Sequence, residues 1–276
     1  MNGPATPVAR LEAVLAALGP MACAVSGGVD SLTLATFAHR HARGAAVRMF
    51  HATSPAVPAE ATDRTRALAA AEGWDLTIID AGEFAVAQYR ANPANRCYFC
   101  KTSLYGAIRP ATGAQIVSGT NTDDLGEYRP GLEAAREHGV RHPFVEAGID
   151  KAGVRALARE LGLGEVAELP SAPCLSSRVE TGIAIDPAVL ACIHATETLV
   201  RAELAPATVR CRVRAAGVVV ELDEAALEAL AADPVRRGAV GAAVARVFCE
   251  AGFEHPVNFA RYRTGSAFLH PMTQGR

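Results

Sequence analysis

The stretch AVSGGVDSLTLA, residues 24–35, decides the fold. An apolar run ends at Val25, two glycines allow a tight turn, and helical spacing begins near Asp30 or Ser31. A strand feeding a helix through such a turn aims the amides of Gly27, Gly28 and Val29 at one point, at the positive end of the helix dipole. That is a receptor for an anion. Ser26 and Ser31 add hydroxyls, and Asp30 is placed to help hold a magnesium ion. The pattern lacks the lysine and the length of G-x-x-x-x-G-K-[ST], so it is a different phosphate loop. A plain Gly-Gly turn is the bland alternative, and the added serines and aspartate argue against it.

Outward from the loop, short apolar runs alternate with helical stretches. MACAV (21–25), AAVRMFHA (45–52), DLTIID (75–80), AQIVSG (114–119) and GVRHPFVE (139–146) read as strands. SLTLATFAHRHA, AEATDRTRALAAAEG, CYFCKTSLYGAIR and GLEAAREHG read as helices between them, and DKAGVRALARELGL as a further helix with Asp150 as its N-cap. This order predicts an α/β domain, a parallel sheet wrapped by helices on both faces. After the loop GEVAELPSAPCLSSR come a helix (186–204), the strands TVRCRVRA and GVVVEL, two alanine-rich helices and a β-like VNFARYRTGS. That order is no longer βαβα. We therefore expect two domains, 1–180 and a smaller α+β domain, 181–276.

The 276 residues are half apolar, and a net charge of −2 gives no global sign of nucleic-acid binding. VLAALGPMACAV has a faint likeness to a signal peptide, but cleavage after Ala24 would fall against the glycine loop, so it reads as a helix, a Gly19-Pro20 turn and a strand. No run reaches the roughly 18 apolar residues of a membrane span. The expectation is a cytoplasmic protein with no membrane or nucleic-acid partner.

Seven cysteines without regular spacing argue against a disulfide framework. Cys23, Cys192, Cys211 and Cys249 sit in apolar or alternating runs and read as small buried hydrophobes. NRCYFCKTS (95–103) is different, because Cys97 and Cys100 stand between Arg96 and Lys101. Their spacing alone admits a zinc site, a redox pair, a cluster site or two core cysteines. VRCRVR (209–214) places Arg210, Arg212 and Arg214 on one face of a strand, with Cys211 and Val213 on the other. Three guanidiniums on one face make a phosphate receptor, and a solvated strand face explains the same alternation. His39 and His41, on the first helix after the loop, read as surface or packing residues.

The glycine loop resembles that of the PP-loop ATP pyrophosphatases. ATSPAVPAEATDRTRALAAAEGW, NPANRCYFCK, GTNTDDLGEYRPGLEAAREHGVRHPFVEAGIDKAGVRALARELGL, LPSAPCLSSR and a terminal RYRTGS together resemble one branch of it, the LarE family. The likeness is dense over residues 20–180 and sparse beyond. It implies ATP cleavage between the α and β phosphates, with Mg2+, to adenylylate a carboxylate of pyridinium-3,5-biscarboxylic acid mononucleotide. Sulfur then replaces an oxygen to leave a thiocarboxylate. Activation is chemically required, since a carboxylate repels nucleophiles and has no good leaving group until AMP is attached.

The resemblance also implies a sulfur source. Some family members sacrifice the sulfur of one cysteine, at the position of Cys174. Others hold a [4Fe-4S] cluster on three cysteines, with an exchangeable sulfide on the open iron. Cys97, Cys100 and Cys174 match the three-cysteine type, fed by sulfide or another sulfur donor. A C-x-x-C at a helix start puts both thiolates on one side, and Arg96, Lys101 and the helix amides favour deprotonation. Zinc suits the same thiolates, with His142 as a possible fourth ligand, and sacrifice of Cys174 stays open. By the same likeness Arg210 and Arg212 hold the substrate phosphate, and Glu197 is carried over, less closely, to the substrate site. Asp123, Asp124, Arg129 and Arg178 are candidates to meet ATP, metal or substrate at the carboxyl edge of the sheet; singly, each reads as well as a turn residue or cap. SRVETGIAI departs from the family by lacking a Pro-Tyr step after Ser-Arg. The family implies a homo-oligomer, a hexamer. A related PP-loop tRNA thiolase or amide ligase, and a non-catalytic nucleotide or metal sensor, are the competing readings; the near-neutral charge and the absence of a visible glutaminase segment weigh against the first two.

Overall fold

The computed structural model describes residues 6–269 apart from 43, 127, 128 and 172. The described residues fall into two compact units, one from Met1–Val86 and Asn95–Ala172, the other from Ala87–Ala94 and Pro173–Arg276.

The first unit begins with α1 (Pro7–Leu18), N-capped by the Thr6 hydroxyl, and continues through β1 (Met21–Ala24), α2 (Val29–His41), β2 (Val47–Ala52), α3 (Ala59–Glu72) and β3 (Asp75–Ile79). A short helix, α4 (Ala87–Arg90), belongs to the second unit. The chain then returns with α5 (Arg96–Ile108), β4 (Gln115–Ser118), α6 (Pro130–Glu137), α7 (Pro143–Glu146), α8 (Lys151–Glu160) and α9 (Gly164–Ala167). All four strands are parallel, in the order β3-β2-β1-β4. The chain steps outward from β1 to β3 and then crosses back to place β4 on the other side of β1. Such a reversal opens a crevice at the carboxyl ends of the two strands where the order turns.

Strand alternation builds two hydrophobic layers. Met21, Cys23, Met49 and Val117 face a core shared with Leu11, Leu32, Phe144 and Leu157. Ala22, Phe50 and Ile116 face the other core, with Tyr105, Ile108 and Ala135. Both faces of the sheet are covered, as expected for parallel strands. The unit is therefore α/β, and Asp150 caps α8 as the sequence predicts, its Oδ1 accepting from the Gly153 amide at 2.7 Å.

The fifth predicted strand, 139–146, is not a strand. Arg141 makes a single parallel bridge to Val117, and α7 starts two residues later. Pro143 explains the change: it has no N–H to give a ladder, and its fixed φ suits the first turn of a helix.

The second unit holds α10 (Pro187–Leu204), the antiparallel pair β5 (Val209–Arg214) and β6 (Gly217–Leu222), then α11 (Glu224–Ala232), α12 (Pro234–Glu250) and β7 (Val257–Arg261), which runs parallel to β6. The division falls between 172 and 173, and residues 87–94 join this unit. Asn92 accounts for that membership. Its buried side-chain amide donates to the carbonyls of Val179, Glu180 and Ile183, and the Arg90 carbonyl accepts from the Ile185 amide.

Candidate functional site

The glycine loop crosses the carboxyl end of β1. Gly27 adopts φ +79°, and a Cβ there would lie 2.5 Å from the Ala61 carbonyl oxygen, so glycine is required twice over. Arg64, on α3, donates to the Gly27 carbonyl at 2.6 Å and fixes that peptide's orientation. Gly28 is the N-cap of α2, and among the described residues no side chain caps it. The first-turn amides of α2 are thus left for an anion.

Ser26 and Ser31 are committed to the loop itself. The Ser31 hydroxyl donates to the Gly28 carbonyl at 3.1 Å and accepts from the Ser26 amide at 3.0 Å. Its single proton being spent, Ser31 accepts from Ser26 Oγ, 3.1 Å away. His51 supports the strand just before the loop. Its Nδ1 lies 2.8 Å from the Val25 carbonyl and its Nε2 2.9 Å from Thr62 Oγ1. A carbonyl can only accept, so the proton sits on Nδ1 and Thr62 donates to Nε2.

Both oxygens of Asp30 are occupied. Asn121 Nδ2, from the loop after β4, donates to Oδ1 at 3.1 Å, and Lys151 Nζ, from the first turn of α8, pairs with Oδ2 at 2.5 Å. The sequence reading missed Lys151. A lysine at the first position of a helix opposes the helix dipole, and that mismatch is the signal that could have found it. Gly119 lets the β4 loop come this close, since a Cβ there would lie 2.7–2.8 Å from the backbone of Asp30 and Ser31.

Asp123 and Asp124 shape the same loop. Asp124 accepts from the Asn121 amide at 3.1 Å and pairs with Arg129 at 2.9 Å. Asp123 accepts from the Lys151 amide at 3.3 Å. His142 bonds to Ser118 Oγ through Nδ1 at 2.9 Å, and burial lowers its pKa.

Cys97 and Cys100 lie one turn apart near the start of α5, both half-buried. A Cβ at Gly131 would meet Lys101 Cγ at 3.1 Å and Cys97 Cβ at 4.0 Å, so α6 packs closely over that turn. The remaining cysteines differ. Burial pushes the Cys23 thiol up to about 12 and raises those of Cys211 and Cys192, which leaves them inert. Cys249 corrects the buried-hydrophobe expectation: it is exposed on the last turn of α12, where one helix face points outward. His41 stacks on Phe37 at 4.2 Å and lies 3.2 Å from Glu12, a packing role at the surface.

In the second unit, half-buried Cys174 opens a short 3-10 turn, Leu175–Arg178. Arg178 and Glu197 are only 3% and 1% exposed and pair at 3.0 Å. On β5, Arg212 is 4% exposed and pairs with buried Glu221 at 3.0 Å, while Arg214 reaches the same carboxylate at 2.7 Å. A solvated strand face therefore does not describe Arg212. Arg210 is half-buried, 5.9 Å from the Tyr262 ring; burial, and then the nearby Arg178, lower its pKa.

Among the described residues of either unit taken by itself, no three His, Cys, Asp or Glu side chains are grouped to hold a metal ion. No helix among them is long and apolar enough to cross a membrane.

The parallel sheet, its reversal between β1 and β4, and the open glycine loop define an α/β domain of the PP-loop kind. The sequence is 30% identical over 225 residues to pyridinium-3,5-bisthiocarboxylic acid mononucleotide synthase of Lactiplantibacillus plantarum, covering 80% of this chain and 81% of that one. The chain belongs to the LarE family. It is also 40% identical over 163 residues to the uncharacterised Synechocystis protein slr1717, covering 58% of this chain. It is 34% identical over 93 residues to the uncharacterised Methanocaldococcus jannaschii protein MJ0830, covering 32% of this chain. The matched regions span 60% and 36% of those two relatives, less than two thirds of either. No family model matches the sequence.

The buried imidazole of His51 yields a pH prediction. Burial lowers its folded pKa, so between that value and the unfolded pKa near 6.5 the unfolded chain binds more protons. Stability is then fully present above about pH 6.5 and falls as pH drops below it, by at most about 1.4 kcal/mol per pH unit for one proton. Urea titrations at pH 7.5, 6.5 and 5.5 should show this slope, and His51→Gln should reduce it.

Proposed function

We propose that this protein is an ATP-dependent sulfur transferase acting on pyridinium-3,5-biscarboxylic acid mononucleotide, a step in making a nickel-pincer nucleotide cofactor. The observation that carries the reading is an uncapped glycine loop at the sheet reversal, in a chain 30% identical over four-fifths of its length to the Lactiplantibacillus synthase.

The amides of Gly27, Gly28 and Val29 hold phosphate oxygens of ATP, with the α2 dipole behind them. A substrate carboxylate oxygen attacks the α-phosphorus, pyrophosphate leaves, and the carboxylate becomes an acyl adenylate. Lys151 would turn toward the polyphosphate, and Asp30, released from it, is the residue to hold Mg2+. Held there, magnesium would neutralise charge on the pyrophosphate leaving group. A sulfur nucleophile then adds to the acyl carbon, and AMP leaves with the original carboxylate oxygen, giving the thiocarboxylate. Arg210, with Arg212 and Arg214 behind it, is the cationic seat for the substrate phosphate, and Asp123, Asp124 and Arg129 hold the loop beside the nucleotide.

For the sulfur, the donor chemistry of half-buried Cys97, Cys100 and Cys174 fits thiolate ligation of a [4Fe-4S] cluster. When bound, such a cluster supplies an exchangeable sulfide for repeated turnover. Each thiol's part is to be held still as a ligand, Cys97 and Cys100 by α5 and Cys174 by its turn. A second reading, sacrifice of Cys174 itself, draws support from the buried grip of Arg178 on the Cys174 turn. In that case Cys174 Sγ attacks the acyl carbon, the Cβ–Sγ bond breaks with loss of the α-proton, and dehydroalanine remains. The family also suggests a homo-oligomer in the cytoplasm.

Exchange of labelled pyrophosphate into ATP should require the pyridinium dicarboxylate mononucleotide and persist in Cys174→Ser, while thiocarboxylate formation disappears in that variant. Exchange without that substrate, or only with tRNA, would contradict the reading. Cys97→Ala separates the sulfur sources: the cluster reading expects multiple turnover to be lost with ATP binding kept. Single turnover with loss of about 34 Da from Cys174, one sulfur and two hydrogens as dehydroalanine forms, supports sacrifice.

A further inference from the structure

The turn that carries Cys174 has no strand ladder along its length; a buried charge pair holds it. Arg178 donates through Nε to Glu197 Oε1 at 3.0 Å and through Nη2 to Oε2 at 3.3 Å. Its remaining nitrogen, Nη1, donates to the Pro173 carbonyl at 2.5 Å, the Cys174 carbonyl at 3.2 Å and Ser177 Oγ at 3.0 Å. One guanidinium thus spans a fixed carboxylate and three oxygens of the turn.

Glu197 is itself anchored. Its Oε1 accepts from the Cys211 amide of β5 at 3.1 Å, and its Oε2 from Arg201, one helical turn along α10, at 3.0 Å. The turn is held from two further sides, by Arg212 donating to the Ser177 carbonyl at 3.1 Å and by the 2.7 Å contact of Tyr89 OH with Ser176 Oγ. Burying an ion pair costs desolvation that apolar side chains of similar size avoid, so stability alone does not account for it. What the pair supplies is direction, because the planar fork of arginine fixes several oxygens at once and a lysine cannot.

We infer that the Arg178–Glu197 pair is a positioning device for the Cys174 sulfur, holding the turn so that the thiol is presented in one place. As a statement about sulfur delivery, this rests on the transfer reading above. Arg178 and Glu197 are positioning residues, acting through the backbone of residues 173–177.

The test is the rate at which iodoacetamide alkylates Cys174 in the native full-length chain, measured by peptide mass spectrometry against exposed Cys249. In Arg178→Lys the Cys174:Cys249 rate ratio should rise about tenfold as the turn opens locally. Thiocarboxylate formation should fall about 10²-fold, as for a reacting atom displaced by an ångström, and pyrophosphate exchange far less. An unchanged alkylation ratio in folded Arg178→Lys overturns the inference, as does an equal loss of both half-reactions. If Arg178→Lys fails to fold, the paired variant Arg178→Met/Glu197→Leu removes both charges and keeps the volume. It should unfold cooperatively in urea yet show the same rise at Cys174, and an unchanged ratio there overturns the inference too. A wild-type chain that makes no thiocarboxylate contradicts the transfer reading instead, and the alkylation ratio still decides the positioning role.

Discussion

The carboxylate of Asp30 is the point on which the first unit's crevice depends. It sits in the first turn of α2, where the helix dipole favours a negative charge. Lys151 sits in the first turn of α8, where the dipole disfavours a positive one. Their 2.5 Å pair offsets that cost, and the 3.1 Å bond from Asn121 brings in the loop after β4. Three segments far apart in sequence therefore meet at one carboxylate, beside amides that no described side chain caps. Because Gly119 has no Cβ, the β4 loop lies directly against the backbone of Asp30. The arrangement sets paired charges, Asp30 and Lys151, beside donors left open at the start of α2 among the described residues.

The second unit uses charge differently. Glu197 and Glu221 are buried and each collects more than one donor: Arg178, Arg201 and the Cys211 amide on the first, Arg212, Arg214 and Ser266 on the second. Removing one member of a buried pair typically costs about 3–5 kcal/mol, because the other charge is left without compensation. Two of the three arginines on β5 are thus bound to Glu221, and Arg210 lies beside Tyr262. The Cys174 turn is fixed to the same framework through Arg178 and Arg212.

Much of this was legible in the sequence, for identifiable reasons. The apolar run before Ser26 and the Gly27-Gly28 turn place β1, the loop and α2 from local pattern alone, and the alternation of runs gives the parallel sheet. At 139–146 the apolar content points to a strand, but Pro143 ends the ladder and begins a helix. Lys151 and the Arg178–Glu197 pair were missed because an ion pair between distant positions leaves no period in the chain. Residues 87–94 belong to the second unit because Asn92 satisfies three carbonyls there. In sequence Arg178 and Glu197 read as ligand contacts, because sequence shows that a charge is present but not whether another charge already faces it.

The central claim is that ATP turns a substrate carboxylate into an acyl adenylate before sulfur arrives. Substrate labelled with 18O in its carboxylates tests it most directly, with the products read by mass spectrometry. If the claim holds, each thiocarboxylate formed is matched by one AMP carrying a single 18O in its phosphate. Unlabelled AMP, or ADP as the nucleotide product, would contradict it.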